Sequence, residues 1–317
     1  MKLIVIVGPT RTGKTELALA LAQKFNGEIV SCDSRQVYLG MDIGTGKSQE
    51  GKVIKEKGRW IAGDIPIYLY DVVAPNEEFS VALYDLLARK ILQDILNRGK
   101  LPILVGGTGF YIKAILDGIE TLQIHPDRKL RLQLENLSAV ELFQKLGDIN
   151  PEKAKNLNAS DRKNPRRLIR AIEIALSKKT IEKPVGLLNI EFLLIGLKAD
   201  PQILYQKADE WVEERLRQGL IEEVKKLLAK GYKNAVPMQG MIYKPTREFI
   251  GGEMTQEELK GKLKTQMHGF IRRQLTWFKK DKRIFWFDIA NDDYQKKMEN
   301  LVRTWLNGGE YHDKRIA

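Results

Sequence analysis

The spacing of apolar and polar residues in the first third of the chain predicts alternating strands and helices. Short apolar runs predict strands at Leu3–Val7, Glu28–Ser31 and Leu101–Val105. Helical spacing of apolar residues predicts helices over Glu16–Phe25 and from Ser80 to Gly99. Because strands that alternate with helices form a parallel sheet covered on both faces, the pattern predicts an α/β fold.

The pattern changes between about Leu122 and Gly186, where it becomes helical and basic. From Asp127 to Lys179 the sequence has thirteen Lys and Arg residues against seven Asp and Glu residues. We therefore expect a helical insertion domain at 122–186 that interrupts a catalytic core formed by 1–121 and 187–317.

The sheet pattern returns after the insertion. Residues 190–197 predict a strand, and an amphipathic helical stretch follows from about Gln202 to Lys230. Thr255 and Glu258 form a capping-box pattern at the start of a helix that extends to about Lys280. Residues 283–289 predict a last strand.

The segment "IVIVGPTRTGKT" (residues 4–15) carries the first chemical signal. Its glycines and the residues after them match the pattern G-x-x-x-x-G-K-[ST], between a predicted strand and a predicted helix. In such a loop the backbone N–H groups and the helix N-terminus bind phosphate, the lysine neutralises charge, and the Thr15 hydroxyl can ligate Mg²⁺. The predicted phosphate-binding residues are Gly8, Pro9, Thr10, Arg11, Thr12, Gly13, Lys14 and Thr15.

Two other polar segments follow predicted strands, "SCDSRQ" (31–36) and "GGTGFY" (106–111). Since the carboxyl ends of parallel strands meet at one edge of the sheet, we expect both segments and the phosphate loop to surround one cleft. Asp33 is the candidate general base, although it could also cap a turn. Thr108 lies where backbone can approach a ligand, although "GGTG" alone is also typical of a tight turn.

The formal charge of +12 favours a nucleic-acid partner, although a lysine-rich surface gives the same excess. Arg166, Arg167 and Arg170 fall within about one helical turn and could contact phosphates, or could form a solvated face. In "FIRRQLTWFKKDKR", aromatic residues among cations suit stacking on RNA bases, but core packing is the favoured interpretation for Trp277 and Phe278.

Several function classes are disfavoured by composition. The single cysteine, Cys32, allows no internal disulfide, and the three histidines lie far apart in the sequence, without zinc-site spacing. The apolar runs are too short to span a bilayer. We expect a cytoplasmic monomer.

Six segments together resemble tRNA dimethylallyltransferases of the bacterial type. They are "GPTRTGKTELALALA", "IVSCDSRQVYLGMDIGTGK", "GKLPILVGGTGFYIKAILDG", "RKNPRRLIRAIEI", "GLIEEVKKLL" and "RRQLTWFKKD", and the similarity extends from Lys2 to about Phe287. The resemblance implies a P-loop NTPase-like core. It also implies transfer of a dimethylallyl group from dimethylallyl diphosphate to N6 of adenine 37 in tRNA, assisted by Mg²⁺ bound at Thr15.

The resemblance also implies roles for individual residues. The phosphate loop would hold the diphosphate, with Lys14, Asp33 and Thr108 as catalytic residues. The anticodon stem-loop of tRNA would be contacted by Asp33, Ser34, Arg35, Gln36, Thr108, Arg131, Arg166, Arg167, Leu168, Ile169 and Arg170.

The chain departs from the family pattern at two positions that bear on anion binding. Arg11-Thr12 replaces a small residue in the phosphate loop, and Trp211-Val212-Glu213 replaces an Arg-Val-Asp triplet whose arginine helps to bind diphosphate. Arg11, Arg215 or Arg217 could supply the missing positive charge.

Three other functions remain open at this stage. One is an adenylate isopentenyltransferase that acts on free nucleotide, which would not need the basic insertion. Another is a P-loop nucleotide or metabolite kinase, which would consume ATP. The third is a tRNA-binding protein without catalytic activity, which the Trp211 departure suggests.

Overall fold

The computed structural model describes residues 1–47, 53–177 and 190–309. The chain divides into two compact units, one formed by Met1–Leu116 with Leu187–Ala317 and the other by Asp117–Gly186. The smaller unit, called the insertion below, begins slightly before the predicted residue 122. The predicted boundary at residue 186 lies outside the described residues.

The larger unit is built on one sheet, in which the described residues form eight strands in the order β3-β4-β5-β2-β6-β1-β7-β8. All strand pairs from β5 to β8 in this order are parallel, whereas β3-β4 and β4-β5 are antiparallel. The strands are β1 (Lys2–Val7), β2 (Gly27–Ser31), β3 (Val53–Glu56), β4 (Arg59–Ala62), β5 (Ile65–Tyr68), β6 (Leu101–Val105), β7 (Glu191–Lys198) and β8 (Phe285–Asp288).

Helices cover both faces of this sheet, and others form a further buried cluster. In the larger unit they are α1 (Lys14–Lys24), α2 (Val81–Asn97), α3 (Gly109–Asp117), α9 (Pro201–Arg217), α10 (Leu220–Ala229), α11 (Tyr243–Ile250), α12 (Gln256–Phe278) and α13 (Tyr294–Leu306). The insertion contains α4 (Arg128–Leu134), α5 (Ala139–Ile149), α6 (Pro151–Lys155), α7 (Ala159–Arg162) and α8 (Pro165–Leu176). Short 3-10 turns occupy Glu120–Gln123, Tyr232–Asn234 and Val236–Gln239.

The alternating faces of the central strands explain the two-sided core. Ile4 and Ile6 of β1 belong to one buried cluster and Leu3, Val5 and Val7 to another, as the two-residue period of a strand requires. The predicted α/β class with a largely parallel sheet and flanking helices is confirmed.

Two details of the predicted elements are wrong. The single helical stretch from Gln202 to Lys230 is two helices, because Gly219 adopts a left-handed conformation (φ +97°) and ends the run between α9 and α10. The antiparallel strands β3–β5 were not predicted. They are four residues long, too short for a clear period, and β3 is mostly exposed.

The insertion has a small core of its own. Leucine, isoleucine and alanine side chains from α4, α5, α6 and α8 form a separate buried cluster. Asn164 caps α8 by accepting from the N–H of Arg167, and Pro165 occupies the first turn. A strongly amphipathic helix is thereby placed with one face on this core. Across the described residues, none of the helices is both long and apolar enough to cross a membrane.

Candidate active site

The three predicted loops meet at one edge of the sheet, as expected from parallel topology. They follow β1, β2 and β6, which are neighbours in the order β2-β6-β1. A cavity of about 350 Å³, called the phosphate cavity below, is lined by residues of all three loops and by residues of α9 and α12. The prediction of one shared cleft is confirmed.

The phosphate loop has the backbone shape that its glycines allow. A Cβ atom on Gly8 would lie 2.4 Å from the carbonyl oxygen of Leu197, and Gly13 has φ +81°. Arg11 is a non-glycine residue in the left-handed region (φ +70°). The carbonyl of Pro9 accepts from the Thr12 hydroxyl at 2.9 Å and from Lys14 Nζ at 2.6 Å. These contacts hold Lys14 at the N-terminus of α1, where an anion is also favoured by the helix dipole.

Desolvation of the ammonium group lowers the pKa of Lys14 to about 8, although Asp33 and Glu16 oppose the shift. A buried lysine with a lowered pKa is typical of a site that gains its charge partner only when a ligand binds. Lys14 therefore suits a role in neutralising bound phosphate.

Gln274 of α12 joins two of the loops. Its side-chain oxygen accepts from the N–H of Thr10 at 2.8 Å, and its amide nitrogen donates to the carbonyl of Gly107 at 3.0 Å. A Cβ atom on Gly107 would lie 2.2 Å from that nitrogen, so a side chain there would displace the Gln274 amide. Sequence reasoning missed Gln274, because nothing in its local pattern distinguishes it from an exposed glutamine.

Asp33 lines the phosphate cavity and also a second cavity beside it. One of its oxygens accepts from the N–H of Arg35 at 2.8 Å, so the turn-capping alternative is correct as well. Burial raises the pKa of Asp33, while Arg35 and Lys14 partly offset the shift. The carboxylate is consequently a stronger base than an exposed aspartate.

Thr108 fixes the residue after Asp33. Its hydroxyl accepts from the N–H of Ser34 at 3.1 Å, and its own N–H donates to the carbonyl of Cys32 at 3.2 Å. Thr108 also lines the second cavity. The turn interpretation and the ligand-facing interpretation of this threonine are therefore compatible.

The second cavity has a volume of about 440 Å³ and a different lining. Met241, Ile242, Met267 and Phe270 contribute apolar surface, and Ser34, Arg35 and Arg273 contribute polar groups. The two cavities share the lining residues Thr10, Asp33, Thr45, Gly107, Trp211 and Phe270, and are thus adjacent. Gln36, also predicted for tRNA, lines the phosphate cavity instead.

Glu223 of α10 holds the loop that brings Thr45 to both cavities. Its carboxylate accepts from the N–H groups of residues 42–44 at 2.7–3.1 Å and from the Tyr243 hydroxyl at 2.8 Å. The buried Lys47 at the end of this loop pairs with Asp42 and Asp71. Sequence reasoning missed this network, although "GTGK" and "GLIEEV" lie within the quoted segments.

Trp211 and Arg215 lie one turn apart on α9, and both line the phosphate cavity. The Arg215 guanidinium lies 5.3 Å from the centre of the Trp211 ring, and the residue is only 6 % exposed. Arg11 lines the same cavity, whereas Arg217 is exposed. Of the three arginines proposed to supply the missing charge, the structure thus brings two to the cavity.

The insertion places its predicted tRNA-binding residues in three settings. Leu168 and Ile169 are buried in its core, so only their backbone could contact a ligand. Arg131 and Arg170 both pair with the buried Glu173, and Arg170 also donates to the carbonyls of Thr121 and Ile124. Arg167 pairs with Asp161, and Arg166 is exposed. Their contacts with tRNA stay a prediction.

The aromatic residues at the end of α12 differ from expectation in one case. Phe278 is buried in the core, as favoured by the sequence interpretation. Trp277 is 44 % exposed, so the prediction of core packing is wrong for it. The reason is helical geometry, since adjacent positions on a helix face different directions.

The residues around the phosphate loop fit a hard cation that is held largely by its ligand. Across the described residues, no group of three or more His, Cys, Asp or Glu side chains could hold a metal ion. The Thr15 and Asp33 side chains lining the cavity offer oxygen donors, which Mg²⁺ prefers together with phosphate oxygens and water. This donor set fits Mg²⁺ brought in with a diphosphate.

The sheet order, the glycine loop and the cavity at the strand ends define an α/β protein with a P-loop-like fold and a cavity at its glycine loop. Residues 36–281 match the family model described as IPP transferase. The chain belongs to the IPP transferase family, a family of prenyltransferases, as the resemblance implied.

Individual relatives agree with this assignment. The chain is 39 % identical to a tRNA dimethylallyltransferase of Exiguobacterium over 94 % of each sequence, and 40 % identical to one of Thermoanaerobacter over 96 % and 97 %. A tRNA isopentenylpyrophosphate transferase structure from Staphylococcus epidermidis covers 97 % of this chain and 99 % of its own, with a TM-score of 0.68 and 35 % identity. A eukaryotic dimethylallyltransferase acting on tRNA shares the fold, with a TM-score of 0.78 and 23 % identity over 99 % of this chain and 81 % of its own.

Proposed function

We propose that this protein transfers the dimethylallyl group of dimethylallyl diphosphate to N6 of adenine 37 in tRNA. The observation that carries the proposal is the pair of adjacent cavities that share Asp33 in their lining. One cavity contains a phosphate loop, and the other has both apolar and polar walls. A donor diphosphate and a nucleobase could therefore meet at a single carboxylate.

The phosphate loop would bind the donor. Free backbone N–H groups of the phosphate loop and the Lys14 ammonium would face the anion and stabilise charge where it develops as the allylic C–O bond breaks. The lowered pKa of Lys14 returns towards its usual range when diphosphate binds beside it. The apolar walls shared with the second cavity, Trp211 and Phe270, would surround the five-carbon group.

Asp33 would act on the acceptor. The exocyclic amine attacks C1 of the dimethylallyl group, a C–N bond forms, the C–O bond breaks and diphosphate leaves. The proton of the amine passes to Asp33, whose raised pKa suits a general base. The N–H of Arg35 and the Thr108 contact with Ser34 hold this carboxylate and its loop in place.

When bound with the donor, Mg²⁺ would add Lewis-acid stabilisation of the departing diphosphate. The Thr15 hydroxyl is the protein group that would hold it. The chain's own contribution would be to position the anion.

The positive charge of the chain supports tRNA as the acceptor. A net charge of +12 favours binding to a phosphate backbone, and Arg166 and Arg167 are exposed on the insertion. An unpaired base in the anticodon loop can be extracted at lower cost than a paired one, which suits a cavity that receives a nucleobase. Relatives named tRNA dimethylallyltransferases are consistent with this acceptor.

Mass spectrometry of the product tests the proposal directly. The full-length protein is incubated with labelled dimethylallyl diphosphate and Mg²⁺, together with an unmodified tRNA carrying adenine 37, the same tRNA with guanosine 37, or AMP. We expect label only in the first tRNA. Label in AMP alone would instead indicate an adenylate isopentenyltransferase, and ATP consumption with a phosphorylated product would indicate a kinase. Salt-dependent binding of the tRNA without product would indicate a protein that only binds RNA.

A further inference from the structure

Two arginine side chains line the phosphate cavity with buried donor atoms that have no hydrogen-bond partner among the described residues. Arg11 comes from the phosphate loop and Arg215 from α9, and both line the cavity. The Nε atoms of both are buried and have no hydrogen-bond partner within the described part of the chain. Because an unpaired buried donor costs free energy, a site that retains two of them is suited to a ligand that supplies the missing acceptors.

Carboxylates lie near the two arginines without forming an ion pair with them: Glu214 and Glu223 attract Arg215 at longer range, and Glu16 and Asp33 line the same cavity. Among the described residues neither arginine forms an ion pair, and Arg215 donates only to the neutral side chain of Gln218. The carboxylate of Glu223 is occupied by the backbone of residues 42–44 and by Tyr243. The carboxylate of Glu210, which also lines the cavity, accepts from Gln206. Two like charges thus face one cavity, which favours a multiply charged anion.

The backbone and the neighbouring ring support the same arrangement. Arg11 has a left-handed backbone (φ +70°), which is uncommon for a residue with a side chain and is found preferentially at functional sites. The Arg215 guanidinium carbon lies 5.3 Å from the centre of the Trp211 ring. Trp211 also lines both cavities. Since Trp211 is itself 6 % exposed, this contact orients Arg215 within a packed wall.

We propose that Arg11 and Arg215, the guanidinium pair, form a second anion-binding group that makes the phosphate cavity selective for a diphosphate over a single phosphate. The inference rests on the proposed function, because it takes the diphosphate to be that of an allylic donor. Arginine presents donors in a planar fork that can bind two phosphate oxygens at once. The phosphate loop would hold one part of the anion and the guanidinium pair the other.

Calorimetric binding of inorganic diphosphate and inorganic phosphate, each with Mg²⁺, tests the inference without turnover. In Arg215→Met we expect the Kd for diphosphate to rise about 10- to 100-fold, as for loss of a charge-assisted hydrogen bond, with little change for phosphate. Arg215→Lys retains the charge but not the planar fork of donors. Its Kd for diphosphate should therefore lie between those of Arg215→Met and the wild type. Arg217→Met is the matched control, since Arg217 is exposed on the same helix. It should bind diphosphate as the wild type does.

A second variant keeps the test valid if Arg215→Met fails to fold. Arg11→Met lies in a loop and should also weaken diphosphate binding. In the double variant the loss should differ from the sum of the two single losses, because both groups contact one anion. Unchanged diphosphate affinity in Arg11→Met and Arg215→Met would overturn the inference, even if the wild type modifies tRNA. Conversely, a wild type that binds diphosphate but transfers nothing to tRNA would overturn the proposed function alone.

Discussion

The phosphate cavity and the insertion use arginine in opposite ways. At the cavity, Arg215 is buried and Arg11 is partly buried, the Nε atoms of both are buried, and neither forms an ion pair among the described residues. In the insertion, Arg131 and Arg170 are about two thirds buried and share Glu173, which is 4 % exposed. Both regions are basic in sequence, so the number of arginines does not distinguish them.

The two regions differ in whether a carboxylate of the protein pairs with the arginine. A buried guanidinium with a carboxylate partner stabilises the fold locally, whereas one without a partner stores an unfavourable free energy that an anion can relieve. The comparison therefore assigns Arg131 and Arg170 first to the stability of the insertion. For Arg11 and Arg215 it supports the proposed role in anion binding.

The largest effect is expected from Asp33→Asn, which keeps the side-chain oxygen that accepts from Arg35 but removes the base. We expect the rate of dimethylallyl transfer in a single turnover to fall about 10²- to 10⁴-fold, with little change in melting temperature or tRNA affinity. Quenched reactions with labelled donor measure the rate. Near-normal transfer would mean that Asp33 only shapes the turn.

Lys14 should give the use of the donor an alkaline pH dependence. Because burial lowers its pKa to about 8, the charged form in the free enzyme is lost as the pH rises through 8, and kcat/KM for the donor should fall there. Lys14→Arg should remove this alkaline limb, because arginine stays charged. Lys14→Met should lower kcat/KM about 10²- to 10³-fold at neutral pH, as for loss of an anion-stabilising donor. If kcat/KM of Lys14→Arg still falls as the pH rises through 8, a group other than Lys14 causes that fall.

The sequence predicts the shape and position of the glycine loop well because its signals are local. Gly8, Gly13 and Lys14 are fixed by backbone shape and spacing along one strand, loop and helix. Parallel topology then brings Asp33 and Thr108 to the same edge. The contacts of Gln274 and Arg215 could not be predicted in this way, since they join segments far apart in the sequence and depend on how α9 and α12 pack.

The missed hairpins and the insertion arginines show a second limit. Gly63-Asp64 between Arg59–Ala62 and Ile65–Tyr68 is a hairpin signal, but four-residue strands carry too little periodicity to support it. Arg131 and Arg166 look alike in sequence as basic helical residues. Only the structure shows that Glu173, 42 positions after Arg131, pairs with one of them.

Glu173→Gln tests whether paired arginines stabilise the insertion. Removing one partner of a buried ion pair costs about 3–5 kcal/mol, and the partial exposure of Arg131 and Arg170 reduces the expected loss of unfolding free energy to about 2 kcal/mol. Denaturant unfolding of the full-length protein measures it. Glu152→Gln, at an exposed position of the same unit, is the control.

The same variant should change the response to acid. Although burial opposes its charge, Arg131 and Arg170 hold the pKa of Glu173 below its usual range. A lowered pKa contributes stability above the unfolded value of about 4.3, and this contribution is lost as the pH falls below it. The stability of Glu173→Gln should therefore depend less on pH in that range. An unchanged acid profile would mean that the pairing contributes little.

The smallest effect is expected from single arginines at the insertion surface. Arg166 is exposed and forms no ion pair with any other described residue, so Arg166→Ala should weaken tRNA binding several-fold and reduce the slope of log K against log salt by about 1. Filter binding at several salt concentrations measures both. Exposed Lys129→Ala on α4 is a control for loss of one charge without a predicted contact. If Arg166→Ala and Lys129→Ala change the slope equally, the insertion binds tRNA through its overall charge. A larger change for Arg166→Ala would instead show a specific phosphate contact. Arginines without a carboxylate partner would then bind anions in both units, at the phosphate cavity and on the insertion.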